Sequence, residues 1–218
     1  MTDFNEKPTK IHIQGRTFRV RKPALSPAKP RALLLLHGHL GNENVMWVLA
    51  NPLPSDYYIL APRAPIQLGE NQYSWHKITP QWPDIDHYGQ LVNELLSHVR
   101  TWEQENDLYF SNFDVMGFSQ GAVMAYALAL LHPEKIGRIA ALAGFIPSSW
   151  KKRINDPPIK QKQFFVAHGA KDDIVPIKKA HETADWLGAN GASVTFCEAD
   201  IGHKISANCF NGLGEFFS

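Results

Sequence analysis

Short, continuously apolar runs recur along the chain and constrain the fold more than any other feature. The runs are ALLLLHG at 32–38, YYILAP at 57–62, FDVMGFS at 113–119, RIAALAGF at 138–145, QFFVAHG at 163–169 and SVTFCEA at 193–199. Apolar runs of this length without polar alternation are typical of strands that are buried on both faces of a parallel sheet. We therefore predict a mainly parallel central sheet.

Several of the segments between these runs show the periodicity of helices. The segments with apolar residues at helical spacing, or with apolar residues on nearly all sides, are 86–104, 120–131, 176–187 and 205–216. Strands that alternate with helices predict an α/β fold with helices on both faces of the sheet. The fully apolar segment 120–131 is expected to be a helix buried in the middle of the fold.

Three other segments carry weaker signals. Residues 10–21 alternate polar and apolar side chains around Gly15, which predicts a β-hairpin. Residues 66–88 show few regular signals, and we interpret them as a loop beside the functional site. The short basic cluster at 151–153 is expected in a solvated loop.

Length and charge limit the function classes. A chain of 218 residues with no linker-like stretch predicts one domain over 1–218, without a large cap domain. A net charge of +1 argues against nucleic-acid or anionic-membrane partners held by bulk charge. No apolar run reaches transmembrane length, and the N-terminus has no apolar signal core.

The two cysteines, Cys197 and Cys209, have no metal-type spacing. With so few cysteines we expect no disulfide framework, which favours a reducing compartment and a cytoplasmic location.

The pentapeptide GFSQG at 117–121 is the sharpest chemical signal, because it follows a predicted buried strand and opens a predicted buried helix. In that context G-x-S-x-G is typical of the nucleophile elbow of α/β-hydrolases, in which the serine hydroxyl stands above the sheet edge. The flanking glycines allow a backbone approach too close for a Cβ atom, and the helix N-terminus favours developing negative charge. We predict an α/β-hydrolase fold with Ser119 as the nucleophile; a glycine-rich turn with an inert serine is the alternative.

A serine hydroxyl needs a base, and in this fold the chain order is nucleophile, acid, histidine, so the base lies downstream of Ser119. Among the downstream histidines, His132 lies at the far end of the predicted helix, His168 at a strand end where packing is expected, and His181 within a solvated helix. His203 follows the last predicted strand and is the predicted general base.

The acid is expected after the next-to-last predicted strand, where HGAKDDIVP at 168–176 supplies two aspartates. We predict Asp172 as the acid. Asp173 has an alternative role as a helix N-cap just before Pro176. Asp200, on the histidine's own loop, is a weaker candidate.

An oxyanion hole needs two backbone N–H groups aimed at the reacting carbonyl oxygen. One is expected from Gln120, the residue after the nucleophile. The other is expected from HGHLG at 37–41, with His39 as the predicted donor and Leu40 as the alternative. His37 precedes the nucleophile in the chain, and we interpret it as a residue that orders this loop.

Five segments of the chain together carry a family resemblance. They are LLLLHGHLGNE at 33–43, YSWHKI at 73–78, GFSQGAVMAYALAL at 117–130, HGAKDDIVP at 168–176 and GHKIS at 202–206. In this order they resemble the phospholipase/carboxylesterase family of small α/β-hydrolases, which includes acyl-protein thioesterases and bacterial carboxylesterases. The resemblance spans most of the chain. It implies nucleophile Ser119, acid Asp172, base His203, and oxyanion donors at His39 and Gln120.

The chain departs from that family at two places. The family often has glycine two residues after the His-Gly of its oxyanion loop, where this chain has Leu40. The family's tryptophan motif often continues with Phe-Asp, whereas Trp75 is followed by His76 and Lys77. That second segment helps to form the acyl-binding region in relatives, so the departure bears on the substrate range.

We predict hydrolysis of small esters with short to medium acyl groups through an acyl-enzyme, without cofactor or metal. Apolar residues expected near the mouth of the site, as a slot for the acyl chain, are Leu40, Trp75, Trp82, Phe145 and Ile146. The absence of a large cap insertion favours small substrates over the peptides or triglycerides of a peptidase or lipase. An acyl-protein thioesterase or lysophospholipase is the alternative. A non-catalytic hydrolase-like binding protein is the alternative of a different class, and the oligomeric state, a homodimer included, stays open.

Overall fold

The computed structural model describes residues 7–23, 28–154 and 156–218. Its strands are β1 (Thr9–Ile13), β2 (Arg16–Arg21), β3 (Arg31–Leu36), β4 (Tyr57–Pro62), β5 (Ile66–Gly69), β6 (Gln72–Ser74), β7 (Phe113–Phe118), β8 (Ile136–Leu142), β9 (Gln163–Gly169) and β10 (Ser193–Ala199). Eight of them form one sheet in the order β1-β2-β4-β3-β7-β8-β9-β10, and β5 pairs with β6.

In the eight-stranded sheet, the six strands from β4 to β10 are parallel, and β2 runs antiparallel to both of its neighbours, β1 and β4. The predicted hairpin around Gly15 is confirmed as the β1–β2 pair, and all six predicted strands form. The predicted burial of 193–199 is wrong, because β10 is the edge strand of the sheet and has no buried residue. In a parallel sheet the carboxyl ends of the strands lie at one edge. The loops that follow β3, β7, β9 and β10 therefore reach the same edge.

The helices are α1 (Ile85–Glu105), α2 (Gln120–Leu131), α3 (Ser148–Arg153), α4 (Ile177–Ala189) and α5 (Ala207–Phe217), and a 3₁₀ turn covers Val45–Leu49. Because side chains alternate between the faces of a strand, β3 feeds two separate cores. Leu34 and Leu36 pack in the core that also holds residues of α1, α2 and α4. Leu33 and Leu35 pack in the core of the 3₁₀ turn and α5. Helices thus cover both faces, and the α/β-hydrolase fold is confirmed.

Two segments differ from the sequence predictions. The region 66–88, interpreted as a loop, contains the β5–β6 hairpin and the first turn of α1. The basic cluster at 151–153 lies in α3 and not in a loop. Trp150 explains the helix: it is fully enclosed, and its indole N–H donates to the carbonyl oxygen of Pro83 at 2.9 Å. Burial of Trp150 therefore stabilises a short helix whose other residues are polar.

The expectation of no disulfide is wrong. Cys197 in β10 and Cys209 in α5 are joined by a disulfide, with their Cα atoms 5.7 Å apart. Packing of α5 beside β10 brings the two cysteines together, a proximity that their separation of 12 positions in the sequence does not reveal. The segment between them carries His203.

Within the three described ranges, no helix is long and apolar enough to cross a membrane. The connections in these ranges also contain no large inserted cap over the strand ends.

Candidate active site

Ser119 occupies a strained turn between β7 and α2. Its φ of 53° and ψ of −115° are rare for a residue with a side chain. A Cβ atom on Gly117 would lie 2.1 Å from the carbonyl oxygen of Gly121, and one on Gly121 would lie 2.1 Å from that of Leu36. Both flanking positions therefore require glycine. The N–H of Ser119 donates to the carbonyl oxygen of Leu142 at 2.8 Å, which fixes the turn to β8.

Asp172 and His203 meet at the ends of adjacent strands, since Asp172 follows β9 and His203 follows β10. Nδ1 of His203 lies 2.7 Å from Oδ2 of Asp172. The other carboxylate oxygen, Oδ1, accepts from the N–H groups of Ile174 at 2.9 Å and Val175 at 2.8 Å. Burial raises the pKa of Asp172, but these hydrogen bonds and His203 outweigh it, and the pKa is lowered overall. The carboxylate is thus held ionised beside the imidazole.

Ser119 and His203 line the same cavity. Among the described residues, no hydrogen bond joins these two side chains. Catalytic hydrogen bonds are often long or poorly aligned in unliganded sites and tighten when substrate binds. Because Nδ1 of His203 is bonded to Asp172, Nε2 is the nitrogen left for the serine hydroxyl. The ring of His203 also packs against Phe118, with ring centroids 5.0 Å apart.

The alternative acids lie outside this arrangement. Asp200 forms an exposed ion pair with Lys171 at 2.7 Å. Asp173 is exposed and does not cap the following helix, because α4 begins at Ile177 with Pro176 as its N-cap. The proposed capping role of Asp173 is therefore wrong: the aspartate lies too far before the first turn.

The other downstream histidines have separate roles. His132 is the C-cap of α2, and His181 lies on α4, half-exposed and 3.0 Å from a carboxylate oxygen of Glu198. His168 is enclosed beneath Asp172, with Nε2 3.2 Å from Oδ2 of that residue.

The loop after β3 lies against Ser119. A Cβ atom on Gly38 would lie 3.3 Å from Cβ of Ser119, so this backbone is in close contact with the serine. His37 orders the loop: Nδ1–H donates to the carbonyl oxygen of Gly38 at 2.7 Å, and Nε2 accepts from the N–H of Ala64 at 3.0 Å. Burial lowers the pKa of His37 to about 4, so the ring is neutral, as that pair of bonds requires.

Glu43 anchors the far end of the same loop. Its enclosed carboxylate receives two hydrogen bonds from the guanidinium of Arg63, both at 2.7 Å. Burial raises the pKa of Glu43, but the bonds from Arg63 outweigh it and bring the pKa to about 2. Lys10 of β1 approaches the same carboxylate at 3.3 Å.

Leu40, which replaces the family's frequent glycine, has a φ of 63°. This is the left-handed region that favours glycine, so the loop keeps the backbone shape that a glycine would adopt. The leucine side chain is 46% exposed and lines the cavity above Ser119.

A buried polar network joins Gln120 to His39 in the loop after β3. The side-chain oxygen of Gln120 accepts from the N–H of Trp75 at 2.8 Å and from the hydroxyl of Ser74 at 3.1 Å. The same hydroxyl lies 3.1 Å from Nδ1 of His39. Ser74 therefore bridges the side chains of His39 and Gln120, the two residues predicted to supply oxyanion donors. Sequence reasoning assigned no role to Ser74, although it lies in the YSWHKI segment that carries part of the family resemblance.

The cavity that contains Ser119 and His203 has a volume of about 610 Å³ and a largely apolar wall. Its apolar residues are Leu40, Val45, Met46, Val48, Leu49, Phe118, Ile174 and Ile205. Of the five residues predicted to form the acyl slot, only Leu40 is among those that line it. The short apolar run VMWVL at 45–49, directly after the oxyanion loop, is the sequence signal that could have indicated this wall.

The four other predicted slot residues lie elsewhere. Trp75 is 1% exposed, and its indole N–H donates to the carbonyl oxygen of His37 at 2.8 Å, beneath the oxyanion loop. Trp82, Phe145 and Ile146 line a second cavity of about 380 Å³ beside α4. The rings of Trp82 and Phe145 meet edge to face with centroids 5.0 Å apart. These aromatic residues pack against one another and not around the serine.

Among the described residues, no group of three or more histidine, cysteine, aspartate or glutamate side chains is arranged to hold a metal ion.

Comparison with known proteins shows the family and the fold of the chain. Acyl-protein thioesterase 1 of Emericella nidulans is 28% identical over 206 residues, which cover 81% of this chain and 85% of that protein. A probable inactive carboxylesterase of Oryza sativa subsp. japonica is 33% identical over 94 residues, which cover 42% of this chain and 38% of that protein. The crystal structure of the Bacillus cereus carboxylesterase has the same fold, with a TM-score of 0.78 at 21% identity over 94% of each chain. A model of the phospholipase/carboxylesterase family matches residues 18–218, so the resemblance seen in the sequence is confirmed and the chain belongs to that family.

Proposed function

We propose that the protein is a serine hydrolase that cleaves carboxylic esters through an acyl-enzyme on Ser119. One observation carries the proposal. His203, which is bonded to Asp172 at 2.7 Å, lines the same cavity as Ser119, and Ser119 lies on a strained turn. A nucleophile, an oriented base and an acid at one cavity are the parts that acyl transfer needs.

The reaction would proceed in two steps. Nε2 of His203 takes the proton of Ser119 as its Oγ attacks the ester carbonyl, and Asp172 stabilises the imidazolium that forms. The backbone N–H groups of His39 and Gln120 would bind the oxyanion. Gln120 opens α2, so its N–H has no partner within the helix. The imidazolium then protonates the departing alcohol, and water repeats the sequence on the acyl-enzyme.

The apolar cavity wall supports an acyl group as the part of the substrate that is recognised. A volume of about 610 Å³ is in the range of small-molecule sites. We propose esters of short to medium acyl groups. The thioesterase alternative has support from the Emericella nidulans relative, which is named an acyl-protein thioesterase. Both activities would use the same acyl-enzyme.

The decisive experiment is a panel of p-nitrophenyl esters and acyl thioesters of graded chain length, with wild type and Ser119→Ala. We expect Ser119→Ala to lower kcat by several orders of magnitude, because triad variants keep only the catalysis of binding and the oxyanion hole. The exposed Ser111→Ala is the matched control and should retain full activity. A fluorophosphonate should label wild type and Ser111→Ala but not Ser119→Ala. Near wild-type turnover by Ser119→Ala would refute the assignment.

A non-catalytic binding protein is the second candidate, and the rice relative named as a probable inactive carboxylesterase favours considering it. A binding role would not require Ser119, Asp172 and His203 together. The same panel separates the two functions, since a binding protein would retain acyl ligands without turnover and without fluorophosphonate labelling.

The cytoplasmic location stays a prediction, and the disulfide between Cys197 and Cys209 argues against it because disulfides persist mainly in oxidising compartments. Trapping of thiols in intact cells with an alkylating reagent, followed by mass spectrometry of the two cysteines, would decide it. A homodimer also stays a prediction, which sedimentation of the purified protein would test.

A further inference from the structure

His168 is a buried histidine that the reaction steps above do not use. It lies at the end of β9, and its side chain is fully enclosed. Nε2 lies 2.7 Å from the carbonyl oxygen of Val175 and 3.2 Å from Oδ2 of Asp172. Nδ1 is buried and has no hydrogen-bond partner among the described residues.

These contacts determine which nitrogen carries the hydrogen. Nε2 faces two acceptors, the Val175 carbonyl and the Asp172 carboxylate. A hydrogen on Nδ1 would be buried without an acceptor, which is energetically costly. Nε2–H therefore donates, and His168 is unsuited to remove a proton from any substrate because it has no access to the cavity.

Oδ2 of Asp172 thus accepts one imidazole N–H, from His203 at 2.7 Å. Nε2 of His168, whose hydrogen is donated to the carbonyl oxygen of Val175, lies 3.2 Å from the same Oδ2 and contacts it electrostatically. Oδ1 receives the two backbone N–H groups of Ile174 and Val175. Three hydrogen bonds and the contact with Nε2 of His168 therefore surround the carboxylate. Of these four partners, His168 is the one side chain that lies outside the proposed triad.

We propose that His168 is a positioning residue for the proposed triad, which holds the Asp172 carboxylate toward His203 and shares the negative charge on Oδ2. The inference rests on the function proposed for Ser119. Without the Nε2–H dipole of His168 beside Oδ2, more of the charge on Oδ2 acts on His203 and favours its protonated form. Loss of His168 should therefore make the enzyme lose activity at a higher pH.

The other charged groups near this pair are at the surface. Lys171 and Asp200 pair with each other, and Glu198, which lies beside His168 in the β9–β10 register, pairs with His181. Asp173 and Lys204 are exposed neighbours of the triad residues in sequence. All of them stay in place when only residue 168 is changed, so a shift in the pH profile reports the lost donor.

The experiment compares His168→Phe, which keeps a ring without a donor, with His168→Gln, whose amide can place an N–H near the position of Nε2. His98→Phe is the matched control, since His98 is a buried histidine on α1 whose ring nitrogen bonds only the backbone of Glu94. The readouts are kcat/KM and the rate of fluorophosphonate inactivation, each measured across pH, with thermal melting of every variant.

We expect the acidic limb of both profiles to move to higher pH by about half a unit or more in His168→Phe. His168→Gln should restore the wild-type limb, and His98→Phe should melt earlier without any shift. If His168→Phe does not fold, His168→Asn serves instead, because its shorter amide does not reach the Nε2 position and should show the same shift.

The inference would be overturned if the acidic limbs of the pH profiles of wild type, His168→Phe and His168→Asn superimposed. The variants would then differ from wild type only by a uniform loss of rate or a lower melting temperature. That result would leave the proposed function intact. The proposed function fails separately, if wild type itself is not labelled at Ser119.

Discussion

The backbone N–H of Trp75 donates a 2.8 Å hydrogen bond to the side-chain oxygen of Gln120. Gln120 follows the nucleophile directly, so this bond fixes the start of α2 to the segment at 74–76. The side-chain amide nitrogen of Gln120 also donates to the carbonyl oxygen of His76 at 3.2 Å. A single buried amide therefore joins three residues of that segment to the nucleophile turn.

Gln120→Ala should be strongly destabilising. It leaves the Trp75 N–H without its acceptor in a buried position, which costs about 1–3 kcal/mol, whereas the Ser74 hydroxyl keeps the carbonyl oxygen of His76 as an acceptor. We expect the free energy of unfolding to fall by about 2 kcal/mol or more, measured by urea denaturation. The exposed Gln90→Ala on α1 is the control and should change it little. Equal stability of the two variants would contradict the role assigned to this network.

Asp172→Asn should lower kcat/KM far more than Asp173→Asn. Asp172 bonds His203, whereas Asp173 is exposed and caps no helix. The corresponding change in a serine protease triad lowers kcat by about 10⁴. Asp173→Asn should stay within about twofold of wild type and lose no helix-cap energy. Steady-state kinetics on one ester would decide it, and the reverse ranking would show that the wrong aspartate is assigned.

Leu40→Gly should reduce the preference for longer acyl groups. The substitution removes part of the apolar wall, and about 1 kcal/mol of lost burial corresponds to roughly a fivefold change in selectivity. Stability should change little, because relief of the left-handed φ offsets the greater freedom of glycine in the unfolded chain.

The measurement for Leu40→Gly is the ratio of kcat/KM for a hexanoate ester to that for an acetate ester. Leu68→Gly is the control, since Leu68 has the same 46% exposure but lies in β5, outside the cavity. An unchanged ratio in Leu40→Gly would mean that the acyl chain does not contact this wall.

The Glu43–Arg63 pair should make stability depend on acid pH. The pKa of Glu43 is lowered from 4.5 to about 2, so its contribution is complete above about 4.5 and is lost as the pH falls toward about 2. A shift of this size corresponds to about 3 kcal/mol. Glu43→Gln should be less stable at pH 7 and should show a flatter loss of stability between pH 4.5 and 2.

The control for Glu43→Gln is Glu94→Gln. Glu94 also pairs with an arginine, Arg16 at 2.6 Å, but its side chain is 48% exposed, so the change should be within about 1 kcal/mol. Denaturation curves collected from pH 2 to pH 7 would test both variants. Parallel pH curves for wild type and Glu43→Gln would refute the coupling.

Removal of the disulfide should destabilise the protein. For a loop of this length, a disulfide contributes roughly 3 kcal/mol through the unfolded chain. The double substitution of Cys197 and Cys209 to serine should lower the melting temperature. A reducing agent should lower that of wild type and leave the double variant unchanged. If a reducing agent acts equally on both, the stabilisation does not come from this bond.

The strands, the buried helix and the nucleophile turn could be predicted because their signals are local. β7 and α2 are apolar apart from Asp114 and Gln120, and the glycines at 117 and 121 mark a backbone approach that allows no Cβ atom. The order of the segments along the chain then limited the acid and base to a few residues after β9 and β10.

The cavity wall could not be predicted because it is a tertiary property. Val48, Ile174 and Ile205 come from three separate connections that meet only in the folded protein. Trp75 carries the same apolar signal but is enclosed beneath the oxyanion loop. Hydrophobicity alone does not distinguish a residue that fills the core from one that faces a ligand. The Cys197–Cys209 bond was missed for the same reason, since β10 and α5 approach only after folding.

The disulfide also changes what a break in the backbone would do to the protein. Cys197 and Cys209 enclose the loop of His203 in a covalent ring, and α5 continues from that ring to Phe217, which is fully buried in the core. A protease cut at any peptide bond inside the ring would leave α5 covalently attached to β10. The C-terminal helix and its contribution to the core would be retained until the bond is reduced. Proteolytic nicking and reduction together would therefore release α5, which neither would release alone.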